Sequence, residues 1–248
     1  IKEVDTDFQN KQNTSAETNI EKSSSEIPSE NLPKTFDATQ NFLANQLELF
    51  KSKTLSNGIP VIYKHSPLQS ESAIRLEISG GEEKSFLGIR GMESLILRIV
   101  TENMLMVMKE YYNSDAIFYM PEITCETGIN SGSITIKCHS QDIYRCLQAA
   151  IGSIVFGDVT PSIADETVFN MQREYKFLAA DTSFQTYCNF MQRIYPKNKK
   201  LYNLKTPLLA NLNFENIQNA YTHILDASRY TIIVATSQDF ESVTKAAE

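Results

Sequence analysis

Between Ala73 and Val100 the spacing of apolar residues changes period, and this change restricts the fold more than any other feature of the chain. Ile74, Leu76 and Ile78 alternate with Arg75 and Glu77, which puts the apolar side chains on one face of an extended strand. Gly80-Gly81 ends it. From Ser85, read as an N-cap, Leu87, Met92, Leu95, Ile96, Ile99 and Val100 recur at intervals of three and four. That spacing predicts a long helix with one buried stripe, continuing through Met104, Leu105 and Met108 to about Tyr112. A half-buried strand feeding a one-sided helix calls for a domain in which helices cover a sheet.

The other segments agree with this architecture. Phe50 to Thr54 and Ile59 to Tyr63 flank Ser56-Asn57-Gly58 and read as a hairpin closed by a two-residue Asn-Gly turn. Ala116 to Met120 and Glu122 to Thr127 read as extended, and a turn at Gly128 to Gly132 leads into the strand Ser133 to Cys138. Ser140 opens a helix that Gly157 stops, and Pro161 begins another with the stripe Val168, Met171, Tyr175 and Leu178. Thr182 or Ser183 caps a third helix to about Tyr195, and Phe214 to Ile224 forms the last. Tyr230 to Thr236 reads as a strand with a nearly continuous apolar run. The expected class is α+β, a mainly antiparallel mixed sheet with helices packed on one face. Residues 1–47, polar and without apolar period, read as a disordered tether, and 48–248 as the folded domain. A first residue Ile1 instead of Met reads as a processed chain, and the tether favours an exported or envelope-associated protein over a cytoplasmic one.

Several function classes are disfavoured by counts alone. Lys and Arg total 23 against 30 Asp and Glu, a net charge of −7, which argues against a nucleic-acid surface. No apolar run approaches the roughly 20 residues that span a bilayer. Gly80, Gly81, Gly88 and Gly91 match neither phosphate-binding glycine pattern, and G-x-S-x-G is absent. Cys125, Cys138, Cys146 and Cys188 contain no C-x-x-C pair and leave their disulfide state open. Cys138 and His139, neighbours on a strand, point to opposite faces and do not pair with each other. His65, His139 and His223 fall in separate elements, so no helical histidine pair offers a metal site.

The stretch LSNGIPVIYKHSPLQSESAIRLEISGGEEKSFLGIRGMESLI resembles the opening of the pitrilysin/insulinase-like zinc metallopeptidases, and YTIIVATSQDF is similar to the strand and loop closing each of their half-domains. The resemblance runs from about Phe50 to Phe240. In that family the long helix carries G-[LIV]-x-H-x-x-E-H, with two zinc-binding histidines and a glutamate that activates water. Aligning Gly88-Ile89 with its first two residues puts Gly91 and Leu95 at the histidine positions and Ser94 at the glutamate position. None of the three supplies the chemistry, since glycine and leucine do not ligate zinc and serine is no carboxylate base. Glu93 lies one position off, about 100° around the helix. Glu174 falls near the family's third ligand, as a leftover metal-ligand position.

The resemblance therefore implies the architecture without zinc and without catalytic residues. It also implies an edge strand, Ile123, Thr124, Cys125, Glu126 and Thr127, on which an extended peptide pairs through its backbone. The expected function is a non-catalytic homologue of a metalloendopeptidase domain, holding a peptide or partnering a second pitrilysin-like half-domain or subunit, a homodimer being one such pairing. One alternative is a regulatory or structural part of an active metallopeptidase whose zinc site lies on another chain or a missing segment. Another is an unrelated α+β binding module.

Overall fold

The structure is a computed structural model that describes residues 49–113, 120–205, 207–210 and 212–248, all within the unit Leu43–Glu248. The expectations of a tether over 1–47 and of an extended segment over 116–119 lie outside these residues. Six strands, β1 (Phe50–Thr54), β2 (Pro60–His65), β3 (Glu71–Ser79), β4 (Glu122–Thr127), β5 (Ser131–His139) and β6 (Tyr230–Thr236), form one sheet in the order β1-β2-β6-β3-β5-β4. Only β2 and β6 run parallel, with Val61 opposite Ile232 and Tyr63 opposite Val234. The other neighbours are antiparallel. Among the described residues the helices are α1 (Met92–Asn113), α2 (Ile143–Phe156), α3 (Pro161–Ala180), α4 (Thr182–Ile194), α5 (Phe214–Ile224) and α6 (Phe240–Ala247).

Ile74, Leu76 and Ile78 of β3 are buried with Ile134 and Ile136 of β5 and Ile232 and Val234 of β6, one face of the sheet carrying the core. Helices α1, α2 and α6 pack on the sheet, and α3 and α5 pack on the outside of α1. The expected α+β class, helices on one face of a mainly antiparallel mixed sheet, is what the chain adopts.

Several local expectations are corrected. The first hairpin closes through a three-residue loop, with Leu55 N–H bonded to Ile59 O at 2.9 Å and a positive φ at Gly58 alone of the loop residues. A type I turn followed by a left-handed residue does this without demanding the unfavourable conformation of Asn57. The long helix begins at Met92, because two 3-10 turns, Gly81–Lys84 and Phe86–Gly88, intervene and Leu87 (φ 57°) and Gly88 (φ 63°) are left-handed. Helix α1 is buried on more than one stripe, Leu97 as fully as Ile96 and Ile99, since it is sandwiched between the sheet and α3 and α5. Strand β6 alternates in burial, with Ile233 only half-buried, because among the described residues the helices pack on the other face of the sheet.

The cap of α4 is Asp181, ahead of the predicted Thr182 or Ser183; its Oδ1 accepts from Phe184 N–H at 2.7 Å. Asp181→Ala is expected to cost about 1 kcal/mol, lowering Tm by about 2–4 °C in a thermal melt.

Candidate functional site

The motif positions surround the start of α1, and the carboxylate that orders this turn comes from nine residues upstream. Glu82 lies in the first 3-10 turn and is held by a backbone strap, with Gly80 N–H donating to Asn130 O (2.7 Å), Glu82 N–H to Gly128 O (3.0 Å) and Glu83 N–H to Ile129 O (2.9 Å). Its carboxylate accepts from the N–H groups of Gly91 (3.0 Å) and Ser94 (3.2 Å). These are among the donors that a helix leaves unsatisfied at its N-terminus, where negative charge is favoured. Burial nevertheless pushes the Glu82 carboxyl up, the two backbone hydrogen bonds and Arg90 opposing it. Sequence reasoning missed Glu82 because capping rules look one to three residues ahead of a helix.

A cavity of about 410 Å³ opens at this helix start, lined by Glu82, Gly91 and Ser94, by Thr127 of β4 and by Glu174 and Tyr175 of α3. It therefore gathers five sequence-predicted positions, Gly91, Ser94 and Glu174 together with Cys125 and Thr127 of the predicted edge strand. Leu95 is 0% exposed within the core and does not line it. Glu93 is 1% exposed and turned away from the cavity to Arg229, itself 8% exposed, with Arg229 Nη2 and Glu93 Oε1 2.5 Å apart. Arg229 also donates from Nε to Ser79 O at 2.9 Å, tying the start of α1 to the end of β3.

A second cavity, about 560 Å³, continues along the same side of the sheet. Its walls are α1 (Thr101, Met106), β4 (Ile123, Cys125) and α3 (Ile163, Thr167), so α3 stands across a groove from β4. Arg98 and Cys125 line both cavities, and Arg98 Nη1 pairs with Glu174 Oε2 at 2.8 Å across the groove. Burial pushes the Cys125 thiol up, against a hydrogen bond from Thr101 and the charge of Arg98.

The predicted edge strand has the predicted extent, with Glu122 added, and among the described residues it bonds to β5 on one side only. Its burial alternates: Ile123, Cys125 and Thr127 are half-buried, while Glu122, Thr124 and Glu126 are exposed. Gly128 N–H bonds to Ser131 O at 2.7 Å and the register runs from there without offset. In an antiparallel ladder alternate residues turn their backbone groups to opposite sides. Glu126, Thr124 and Glu122 thus point theirs at β5, leaving the N–H and C=O of Ile123, Cys125 and Thr127 on the outer edge.

The lining residues do not fit a zinc ion. Zinc takes about four nitrogen, sulfur or oxygen donors at roughly 2 Å. Here Gly91 has no side-chain donor, Glu82 is committed to two backbone N–H groups, and Glu174 is neutralised by Arg98. Arg90, stacked on Tyr175 at 4.7 Å, adds a further positive charge. A histidine at position 91 would be strained as well: φ is +84°, and a Cβ would come within 2.7 Å of Leu208 Cδ1. His65, His139 and His223 stand at the ends of β2, β5 and α5, and among the described residues no three His, Cys, Asp or Glu side chains converge as a metal site would need.

No protein-family profile matches this chain, and no curated protein matches it in sequence. Solved structures do match in fold. The first half of the periplasmic protease PqqL from Escherichia coli superposes with a TM-score of 0.64 at 13% identity, over 80% of this chain and 45% of that one. A peptidase M16 inactive domain from Pseudomonas fluorescens gives 0.66 at 8% identity, over 80% and 49%. Pitrilysin gives 0.64 at 10% identity, over 80% and 22%. The chain has the pitrilysin-like M16 fold and spans about half, or less, of the length of these proteins.

Proposed function

We propose that the chain is a non-catalytic pitrilysin-like half-domain that holds an extended peptide on the outer edge of β4 and works beside a second half-domain. The observation that carries this reading is the groove itself. Gly91 and Ser94, the positions aligned with the zinc motif, line one cavity with Thr127 of β4, whose outer edge is unpaired among the described residues, and Arg90 and Arg98 stand there beside Glu82 and Glu174. Edge addition uses main-chain groups, so it survives the loss of catalytic side chains. The likeness in fold to an M16 inactive domain supports the same reading, and weighs against an unrelated binding module.

A second half-domain or a second copy is supported by the length of the matched proteins and by the surface. Helix α4 exposes Tyr187, Phe190 and Ile194 at helical spacing, and α3 exposes Phe169 and Phe177, the latter 74% accessible. Large apolar side chains gathered on neighbouring helices mark interaction surfaces. The alternative, a regulatory or structural part of an active metallopeptidase, differs only in what the partner carries. Co-purification from the native source separates the two: a partner bearing the zinc motif, with protease activity in the complex, selects the alternative. Export is proposed with the same reading; among the described residues no helix is long and apolar enough to cross a membrane.

Two measurements test the proposal. Purified chain is expected to carry substoichiometric zinc and to cleave no peptide; one zinc per chain with chelator-sensitive hydrolysis overturns it. Cys125→Pro removes an outward N–H that the sheet does not use, and proline is tolerated on such an edge. It is expected to shift Tm by only a few degrees yet weaken peptide binding at least about tenfold, because an edge pairing loses a main-chain hydrogen bond and meets the ring. Unchanged binding rules out this edge as the site.

A further inference from the structure

The alternation along β4 specifies more than a generic peptide. Glu122 and Glu126 stand on the open face, with Thr124 between them. Glu122 shares Lys137 (3.1 Å), Glu77 shares Arg75 (2.9 Å), and Glu126 is in no ion pair among the described residues, so this part of the face carries surplus negative charge. On the opposite face, Ile123 lines the larger cavity with Met106 and Ile163, which form its apolar part among polar side chains such as Thr101 and Thr167. The two arginines there are already engaged, Arg98 by Glu174 and Arg173 by the ring of Phe169 at 5.9 Å, while Glu102 and Glu166 disfavour a further carboxylate.

We infer that the occupant of this edge is an extended segment in which basic side chains alternate with apolar ones, the basic set opposite Glu122 and Glu126 and the apolar set in the cavity beside Ile123. The inference rests on the edge-strand reading above and adds to it the chemistry of the ligand. A strand added antiparallel forms its hydrogen-bonded pairs with Ile123, Cys125 and Thr127. Its residues opposite Glu122, Thr124 and Glu126 then fall in the non-hydrogen-bonded pairs, where facing side chains come closest. Lysine or arginine at every second position meets carboxylates at short range, and the intervening side chains enter the groove between β4 and α3. A one-residue slip exchanges the two sets and takes the basic side chains away from Glu122 and Glu126, so the pattern also fixes register.

The test uses fluorescein-labelled seven-residue peptides and fluorescence anisotropy. One alternates lysine with valine, one alternates glutamate with valine, and one groups the same lysines at one end. The alternating lysine peptide is expected to bind about tenfold more tightly than the glutamate one at low salt, an advantage that shrinks to about threefold or less in 0.5 M NaCl. It should also outbind the grouped peptide, which cannot match a period of two. Glu122→Lys together with Glu126→Lys, both at exposed sites, is expected to reverse the preference. Equal affinity for the lysine and glutamate peptides, or a preference untouched by the two substitutions, overturns the inference while the edge reading stands. Failure of every peptide to bind overturns both.

Discussion

Arg229→Met is expected to destabilise the protein by about 3–5 kcal/mol at pH 8 and by distinctly less at pH 5, in urea titrations followed at both pH values. Arg229 is buried and bonds to Glu93 at 2.5 Å and to Ser79 O at 2.9 Å. Removing it leaves a buried carboxylate without its counter-charge, and that is the expensive outcome for such a pair. Even with Arg229 present, burial outweighs the pair and pushes the Glu93 carboxyl from 4.5 to about 7, with Glu82 adding to the rise. A carboxyl whose folded value lies above its unfolded one holds its proton more tightly in the folded state. The stability it contributes is full below about pH 4.5 and is lost as pH climbs to about 7. Wild type should therefore lose roughly 2–3 kcal/mol relative to Glu93→Gln between pH 5 and pH 8. In Arg229→Met the opposing attraction is gone, Glu93 titrates higher still, and the cost grows with pH across the same range. Pairing Arg229→Met with Glu93→Leu removes both charges and is expected to recover most of the loss. A cost that is the same at both pH values would mean that Glu93 stays ionised throughout.

The pair also marks where reading the sequence stops. Glu93 is visible as a residue one step from a motif position, but its partner lies 136 residues away, at the entry to β6. Local patterns carry what local physics decides. The alternation of Ile74, Leu76 and Ile78 located β3, the β-branched run located β6 within its observed limits, and helical spacing located α5. Ile123 to Thr127 was legible as an edge only through the resemblance to a known order of elements. Its alternation of charge and half-burial was in the sequence, but the cavity that gives one face its meaning is made by α3, some 40 residues on. Glu174 likewise was placed near the site by that resemblance, whereas its bond to Arg98 follows from how α3 packs on α1. The misplaced start of α1 has the same origin. Ser85 looks like an N-cap, yet its hydroxyl donates to Ile89 O at 2.7 Å and the helix is ordered by Glu82, which the backbone strap brings into position.

That strap sets the second large effect. Gly81→Ala is expected to cost about 3–4 kcal/mol and to weaken peptide binding at the β4 edge, whereas Gly88→Ala, seven residues along and also left-handed, should cost only about 1 kcal/mol. Gly81 has φ +49°, and a Cβ there would come within 2.5 Å of Gly128 O, 2.6 Å of Ser131 N and 2.7 Å of Ile129 O. All three are backbone atoms of the β4–β5 turn, so no side chain can swing aside. Gly88 has φ +63° with nothing within 4 Å of the added carbon, and it isolates the conformational cost. The excess at Gly81 measures the close approach. Relieving it means moving the strap off the turn, which breaks the bonds from Gly80, Glu82 and Glu83 and displaces the Glu82 carboxylate from Gly91 and Ser94. Because the same turn fixes Thr127 and the end of β4, loosening it frays the edge before the domain unfolds. Denaturant titrations of the two variants measure the difference in stability, and anisotropy with the alternating lysine peptide, under conditions where both are folded, measures the edge. Equal costs at the two glycines would show that backbone conformation alone, and not the packing of the strap against the turn, holds this end of the groove.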